Sequence, residues 1–305
     1  MRCLLWLIIP ALGCVDEEKP STEDDAEEHS EDSGMEGSPA PVDPEGTISA
    51  GHAHSCGIGA DNTVVCWGIN EGDFDLGQVT DAPAGSFLSV STGGYFSCGV
   101  RTDGGLHQCW GEDKGPPSVG SVDIAYVNAG VDHACALTTD GNAFCWGDNM
   151  YGEIISPGGA FIQVSAGYRH TCGIRDDGTT TCWGRDQKGQ ASPPDRRFTQ
   201  ISAGAYQTCG IDTTGALHCW GETYDADPPA GTFVQVSASR SGTHACALTE
   251  SGQPECWGYD EFGQASPPDE AFTHISAGGT HSCGRLQTGE FRCWGNNIYD
   301  QATVP

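Results

Sequence analysis

Basic residues are scarce in this chain: 13 Lys and Arg stand against 42 Asp and Glu in 305 residues, a formal charge of −29. Phosphate backbones and anionic lipid headgroups attract the opposite sign, so nucleic acid is not an expected partner. Long apolar runs are lacking too. The run at the start of the chain, Cys3 to Leu12, is too short to span a bilayer. Nothing reads as a helix. There is no Gly-x-Ser-x-Gly elbow, phosphate loop or His-Glu-x-x-His string, and no loop with the alternating oxygen ligands and closing Glu that calcium requires. The expectation is therefore a non-enzyme with no catalytic residues, no cofactor and no metal.

What is present is repetition. Seven times a strand ending in Ser-Ala-Gly or a near variant leads to a cysteine, then nine or ten residues, then Cys-Trp-Gly. The first cysteines are Cys56, Cys98, Cys135, Cys172, Cys209, Cys246 and Cys283, and the last six step by 37 residues. Such a period means stacked copies of one small unit, none able to bury its apolar face alone.

The third unit shows the local geometry. Cys135-Ala136-Leu137-Thr138 and Asn142-Ala143-Phe144-Cys145-Trp146 flank Thr139-Asp140-Gly141, a three-residue hairpin loop with glycine where a left-handed residue is required. Thr138 then faces Asn142, and counting back sets Cys135 opposite Cys145 in a non-hydrogen-bonded pair, Cα atoms about 4.5 Å apart and within disulfide reach. The first unit has Asp61-Asn62 at the turn, and asparagine tolerates the same conformation. The same spacing pairs Cys56 with Cys66, Cys98 with Cys109, Cys172 with Cys182, Cys209 with Cys219, Cys246 with Cys256 and Cys283 with Cys293. The second unit has one extra residue between Gly105 and Gln108, which a bulge absorbs. Each hairpin is preceded by a strand such as Phe198–Gly204 and followed by a polar loop. Three or four short strands per unit, seven times over, indicate an all-β fold, a seven-bladed β-propeller of about 37-residue repeats.

Three regions are expected: residues 1–13 a signal peptide, 14–47 a lipidation site and acidic linker, and 48–305 the propeller. Arg2 and the short apolar run have the layout of an export signal, and export makes disulfides the default for paired cysteines. Residues 15–47 hold thirteen acids against Lys19, with no aromatic, Leu or Ile, the composition of a solvated tether. Ala11-Leu12-Gly13-Cys14 resembles the lipobox of bacterial lipoproteins, which implies lipidation of Cys14, with ordinary secretion the alternative. From Ile48 onward 29 acids and 11 bases remain, so the repeats are themselves acidic.

Val164 to Gly178, running on to Cys182-Trp183-Gly184, resembles the repeat of the regulator of chromosome condensation family, and the likeness recurs in all seven units. The resemblance implies the seven-bladed fold; function transfers less well. The founder is a nuclear guanine-nucleotide exchange factor, from which an acidic, exported, cysteine-paired chain departs in charge, compartment and redox state. Secreted bacterial propellers with similar short repeats, among them β-lactamase inhibitors, imply binding rather than catalysis.

Two residue sets invite a functional reading. His54, His133, His170, His244 and His281 each sit two residues before the first cysteine of their unit, with Phe96 and Gln207 in the other two. Repetition in phase with the scaffold favours a blade-to-blade packing or hydrogen-bonding role over a ligand ring. The loops after Trp-Gly vary, and they carry Phe74, Tyr151, Tyr224, Tyr259, Phe262 and Tyr299 among acidic residues. Aromatics rimmed by polar groups are typical interface anchors, so these six form the candidate ligand-binding set. The expected function is a non-catalytic binding protein, anchored to a bacterial envelope or secreted, that presents its loops to a protein or glycan. An exchange-factor-like regulator and a purely structural envelope protein are the alternatives.

Overall fold

The computed structural model describes residues 47–103, 107–115, 122–223 and 227–305. Seven three-stranded antiparallel sheets follow one another along the chain, each ordered inner, middle, outer. Blade 4 is representative, with strands Gln163–Ala166, His170–Ile174 and Thr180–Gly184. The other blades run over Ile48–Gly68, Phe87–Gly111, Ile124–Gly147, Phe198–Gly221, Phe233–Gly258 and Phe272–Gly295. Of the three or four strands expected per unit, three form.

The hairpin register follows the sequence. Cys135 faces Cys145, Thr138 N–H donates to Asn142 O at 3.0 Å, and Gly141 takes φ 82°. Asn62 occupies the equivalent position in blade 1 at φ 64°. All seven cysteine pairs are bonded within their own hairpins. Their Cα separations, 4.0–4.1 Å, are shorter than the expected value because the bridge draws a non-hydrogen-bonded pair together. Residues 104–106, around the extra residue of the second unit, lie outside the described residues.

Apolar residues three apart in the inner strands have a simple cause. Phe198 and Ile201 are both buried because the register shifts between Phe198 and Gln200, so Thr199 bulges outward; blades 2, 3, 6 and 7 shift at the same place.

No blade has a core of its own. Burial occurs at the seams, where Cys172 and Ile174 of blade 4 pack on Phe198, Ile201 and Trp220 of blade 5, and six further clusters repeat this arrangement around the ring. The Ser-Ala motif also works across seams. Ala203 N–H donates to Ser165 Oγ at 2.9 Å, and the same bond joins Ser49 to Thr92, Ser91 to Ala129, Asn128 to Ala166, Ser202 to Ala238 and Ser237 to Ala277. Ser276 Oγ accepts from Ala50 N–H at 3.0 Å and so completes the circle. The glycine that follows is dictated by close approach, since a Cβ at Gly167 would lie 2.4 Å from the carbonyl oxygen of Gly204.

Candidate functional site

Each middle strand starts at the turn that ends its inner strand, and each outer strand returns to that same end. The residue after Trp-Gly is therefore tied to the turn: Asp148 N–H donates to Asp132 O, Arg185 to Arg169 and Glu222 to Tyr206, at 2.8–2.9 Å. Turns and Trp-Gly loops thus share one face of the ring.

Five of the loops are anchored by a buried Gln or Glu. The side chains of Gln78, Glu153, Gln190, Gln264 and Gln301 accept the N–H of the residue two places earlier, at 2.6–3.0 Å. Their backbone carbonyls accept the indole N–H of the next blade, Trp110, Trp183, Trp220, Trp294 and, across the closure, Trp67. The residue two places before the anchor is consequently turned to solvent, and it is Leu76, Tyr151, Lys188, Phe262 or Tyr299. Asp260 accepts from Ala265 N–H and Ser266 Oγ–H, and Asp75 from Gly77 N–H, so these interleaved acids stabilise the turns.

The five loop aromatics among the described residues are not gathered into one cluster. Phe74 stacks on Tyr95 at 5.9 Å and, with Tyr299, lines a hollow against His52 and Tyr95. Tyr151 lies beneath the guanidinium groups of Arg169 and Arg185, at 5.9 and 5.4 Å. Tyr259 and Phe262 meet each other edge-on at 6.4 Å. These five are 37–54% exposed. Tyr224 and Cys14 lie outside the described residues.

The centre of the face is built from residues that sequence reasoning did not select. His52, Tyr95, Val131, Tyr168, Ala205, Tyr206, Arg240 and Ser241 line an axial cavity of about 300 Å³. They come from the inner-to-middle turns of six blades. Tyr168 and Tyr206 meet edge-on at 6.0 Å, Arg169 covers Tyr168 at 5.0 Å, and Arg185 covers Tyr206 at 5.3 Å. Arg240 is buried and reaches across the ring, its Nε–H donating to Ala166 O at 3.1 Å. Arg169 is held by Asp148 at 2.6 Å and Asp132 at 3.6 Å. One sequence signal could have found this cavity: the two residues between the motif glycine and the histidine position, such as His52-Ala53, Val131-Asp132, Tyr168-Arg169 and Ala205-Tyr206, change type from repeat to repeat while the glycine before them is nearly constant.

The five histidines serve the scaffold. Each Nε2 is 2.8–2.9 Å from a hydroxyl of the next blade: His54 with Ser97, His133 with Thr171, His170 with Thr208, His244 with Ser282 and His281 with Ser55. Thr171, Thr208 and Ser282 donate their own hydrogens to the carbonyls of Glu153, Gln190 and Gln264, so they accept from Nε2–H. The imidazoles are neutral: burial pushes His54, His133 and His281 down to about 3 and His170 and His244 to about 4. Where the next blade offers Ala134 or Ala245 in place of a hydroxyl, the histidine position holds Phe96 or Gln207. Among the described residues no group of His, Cys, Asp or Glu is arranged to hold a metal ion.

Comparison with known proteins agrees with this architecture. Residues 47–73, 124–153, 161–190, 198–224 and 272–301 match the family described as Regulator of chromosome condensation (RCC1) repeat. The human protein named Probable E3 ubiquitin-protein ligase HERC4 is 29% identical over an alignment 133 residues long that covers 35% of this chain and only 13% of that protein. Among solved structures, the entire ectodomain of the Physcomitrella patens receptor kinase CR4 is similar with a TM-score of 0.71 at 27% identity, over 82% of this chain and 73% of that one. The CRINKLY WD40 ectodomain of the Arabidopsis thaliana receptor kinase ACR4 has a TM-score of 0.69 at 26% identity, over 83% and 98%. With that signature on five of its seven blades, the chain belongs to the regulator of chromosome condensation repeat family.

Proposed function

We propose that this chain is a non-catalytic binding protein that works outside the cytoplasm and engages a protein or glycan ligand through the face carrying its inner turns and Trp-Gly loops. The observation that carries the reading is the set of half-exposed rings held there by buried anchors: Tyr151, Phe262 and Tyr299 each sit two residues before a Glu or Gln locked beneath a tryptophan. Rigid aromatic side chains lose little entropy on contact, which is why they dominate interface energetics.

Seven disulfides support an oxidising compartment, and two of the similar solved structures are receptor ectodomains. The lipobox-like Ala11-Leu12-Gly13-Cys14 and the acidic stretch behind it support an envelope anchor with a tether. The ligase named for the human relative belongs to a protein of which the match spans 13%, and we carry none of that activity over.

The test is ligand capture by the full chain and by a Tyr151→Ala, Phe262→Ala, Tyr299→Ala triple variant. Capture should be lost, since interface anchors cost about 2 kcal/mol or more each, while the melting temperature stays within about 2 °C, as befits exposed loop residues. A triple variant that captures as well as the parent would remove the reading.

A further inference from the structure

We propose that the axial cavity, with Arg185 at its rim, receives a single carboxylate presented by a protein partner, either an Asp or Glu side chain or a C-terminal carboxylate. This rests on reading the face as a binding surface and names the chemistry that its centre recognises.

The cavity wall is unlike the rest of the molecule. Acids outnumber bases by more than three to one along the chain, yet none of the eight lining residues is Asp or Glu; three are tyrosines, burial holds the His52 imidazole below its ordinary pKa, and Arg240 is the cation among them. Arg185 adds a second guanidinium at the rim, laid over Tyr206 at 5.3 Å and Tyr151 at 5.4 Å. Its Nε and Nη donate to the neutral Gln187 Oε1 at 3.1 and 2.8 Å. Arg169 beside it shows the contrast, because Asp148 and Asp132 hold that guanidinium. Among the described residues, the charge of Arg185 is met by rings and an amide, not by a carboxylate.

A guanidinium fork matches a planar carboxylate bidentately, and phenol hydroxyls donate to the same oxygens. Val131 and Ala205 give an aliphatic stem an apolar wall. About 300 Å³ is room for a side chain or a chain end. The field at long range selects further. A chain of −29 repels polyanions such as polyphosphates, so the partner that satisfies both ranges is neutral or basic overall and offers one carboxylate at its tip. The half-exposed aromatic rim is the composition of a protein interface, which favours a protein source.

The experiment is ligand-observed NMR titration of the full chain at low ionic strength with three capped peptides. These are Ac-Gly-Val-Glu-Gly-amide, its Gln counterpart, and Ac-Gly-Val-Gly-Gly with a free C-terminus. At least one carboxylate peptide should bind, about tenfold or more tightly than the Gln peptide, and added salt should weaken it. The tighter of the two carboxylates identifies the source. Arg185→Gln should weaken binding about tenfold with an unchanged melting temperature; Arg240→Gln should do the same, and Arg185→Gln decides the matter if loss of the Arg240 bond to Ala166 opens the ring. Binding of the Gln peptide as tight as that of the better carboxylate peptide overturns the inference, as does unaltered binding by Arg185→Gln, or silence of both carboxylate peptides at about 10 mM. Binding of glucuronate in place of either peptide would overturn the protein source. If the carboxylates fail while the aromatic triple variant still loses capture, the face stands and only this inference falls.

Discussion

Acidification should unfold this propeller well before its carboxylates titrate, and the five seam histidines set the pH at which it happens. Each is fully buried and neutral, with an Nδ1 that has no hydrogen-bond partner among the described residues. In the unfolded chain a histidine titrates near 6.5; in the folded one burial holds these groups at about 3 to 4. The unfolded state therefore binds more protons below pH 6.5. The histidines' contribution to stability is complete above that pH and is lost as pH falls toward 4. At pH 5 the loss is about 2 kcal/mol per histidine, so on the order of 10 kcal/mol for the five, with a limiting slope of about 7 kcal/mol per pH unit. That is comparable to the entire stability of an ordinary domain. Relief of self-repulsion as the acidic surface neutralises acts in the opposite direction and blunts the slope. The assay is a series of urea unfolding curves from pH 8 to pH 4.5, for the parent and for His170→Gln, the residue that blade 5 uses at this position. The parent should lose most of its midpoint between pH 6.5 and 5, and the variant should show a slope lower by about one proton. A midpoint that is flat to pH 5, or a variant slope equal to the parent's, would refute the neutral buried assignment.

Trp183→Ala should destabilise by about 3–5 kcal/mol, because its ring packs on Phe161 at 5.8 Å and its indole N–H is bound to Glu153 O; calorimetry reads this as a large fall in melting temperature, and a fall of a degree or two would mean that the ring contributes no seam burial. Ser165→Ala should cost about 1–3 kcal/mol by leaving Ala203 N–H buried without an acceptor, whereas Met150→Ala, on an exposed loop, should stay within about 0.5 kcal/mol; equal effects in denaturant midpoint would refute the seam account. Cys14→Ser should release the protein from membranes with the propeller folded, and unchanged detergent partitioning of that variant would dispose of the lipid anchor.

Local geometry was legible in the sequence. Cys135, Thr138, Gly141 and Asn142 lie within eight residues, so alternation and one left-handed glycine decide which side chains face each other, and the 37-residue step carries that answer to every blade. The all-β class and the count of seven blades follow from the same period, and the repeated phase of the histidines already argued for a scaffold role. The exposure of Tyr151, Phe262 and Tyr299 could be anticipated from their loops, but not the buried Glu or Gln that turns each one outward.

Everything that depends on the seams needed the tertiary structure. Ser165 reads as one more polar residue in a strand until Ala203, 38 positions on, sets its N–H against it. The same holds for His281, whose partner Ser55 is 226 residues away and is reached only because the ring closes. The cavity is the extreme case: its lining comes from one or two residues of each of six turns, different in type and about 37 positions apart, so no window of sequence contains it. A hairpin is settled by backbone sterics over a dozen residues; a seam or an axial pocket is settled by where rigid blades stop when their apolar faces are buried, and that condition belongs to the ring as a whole.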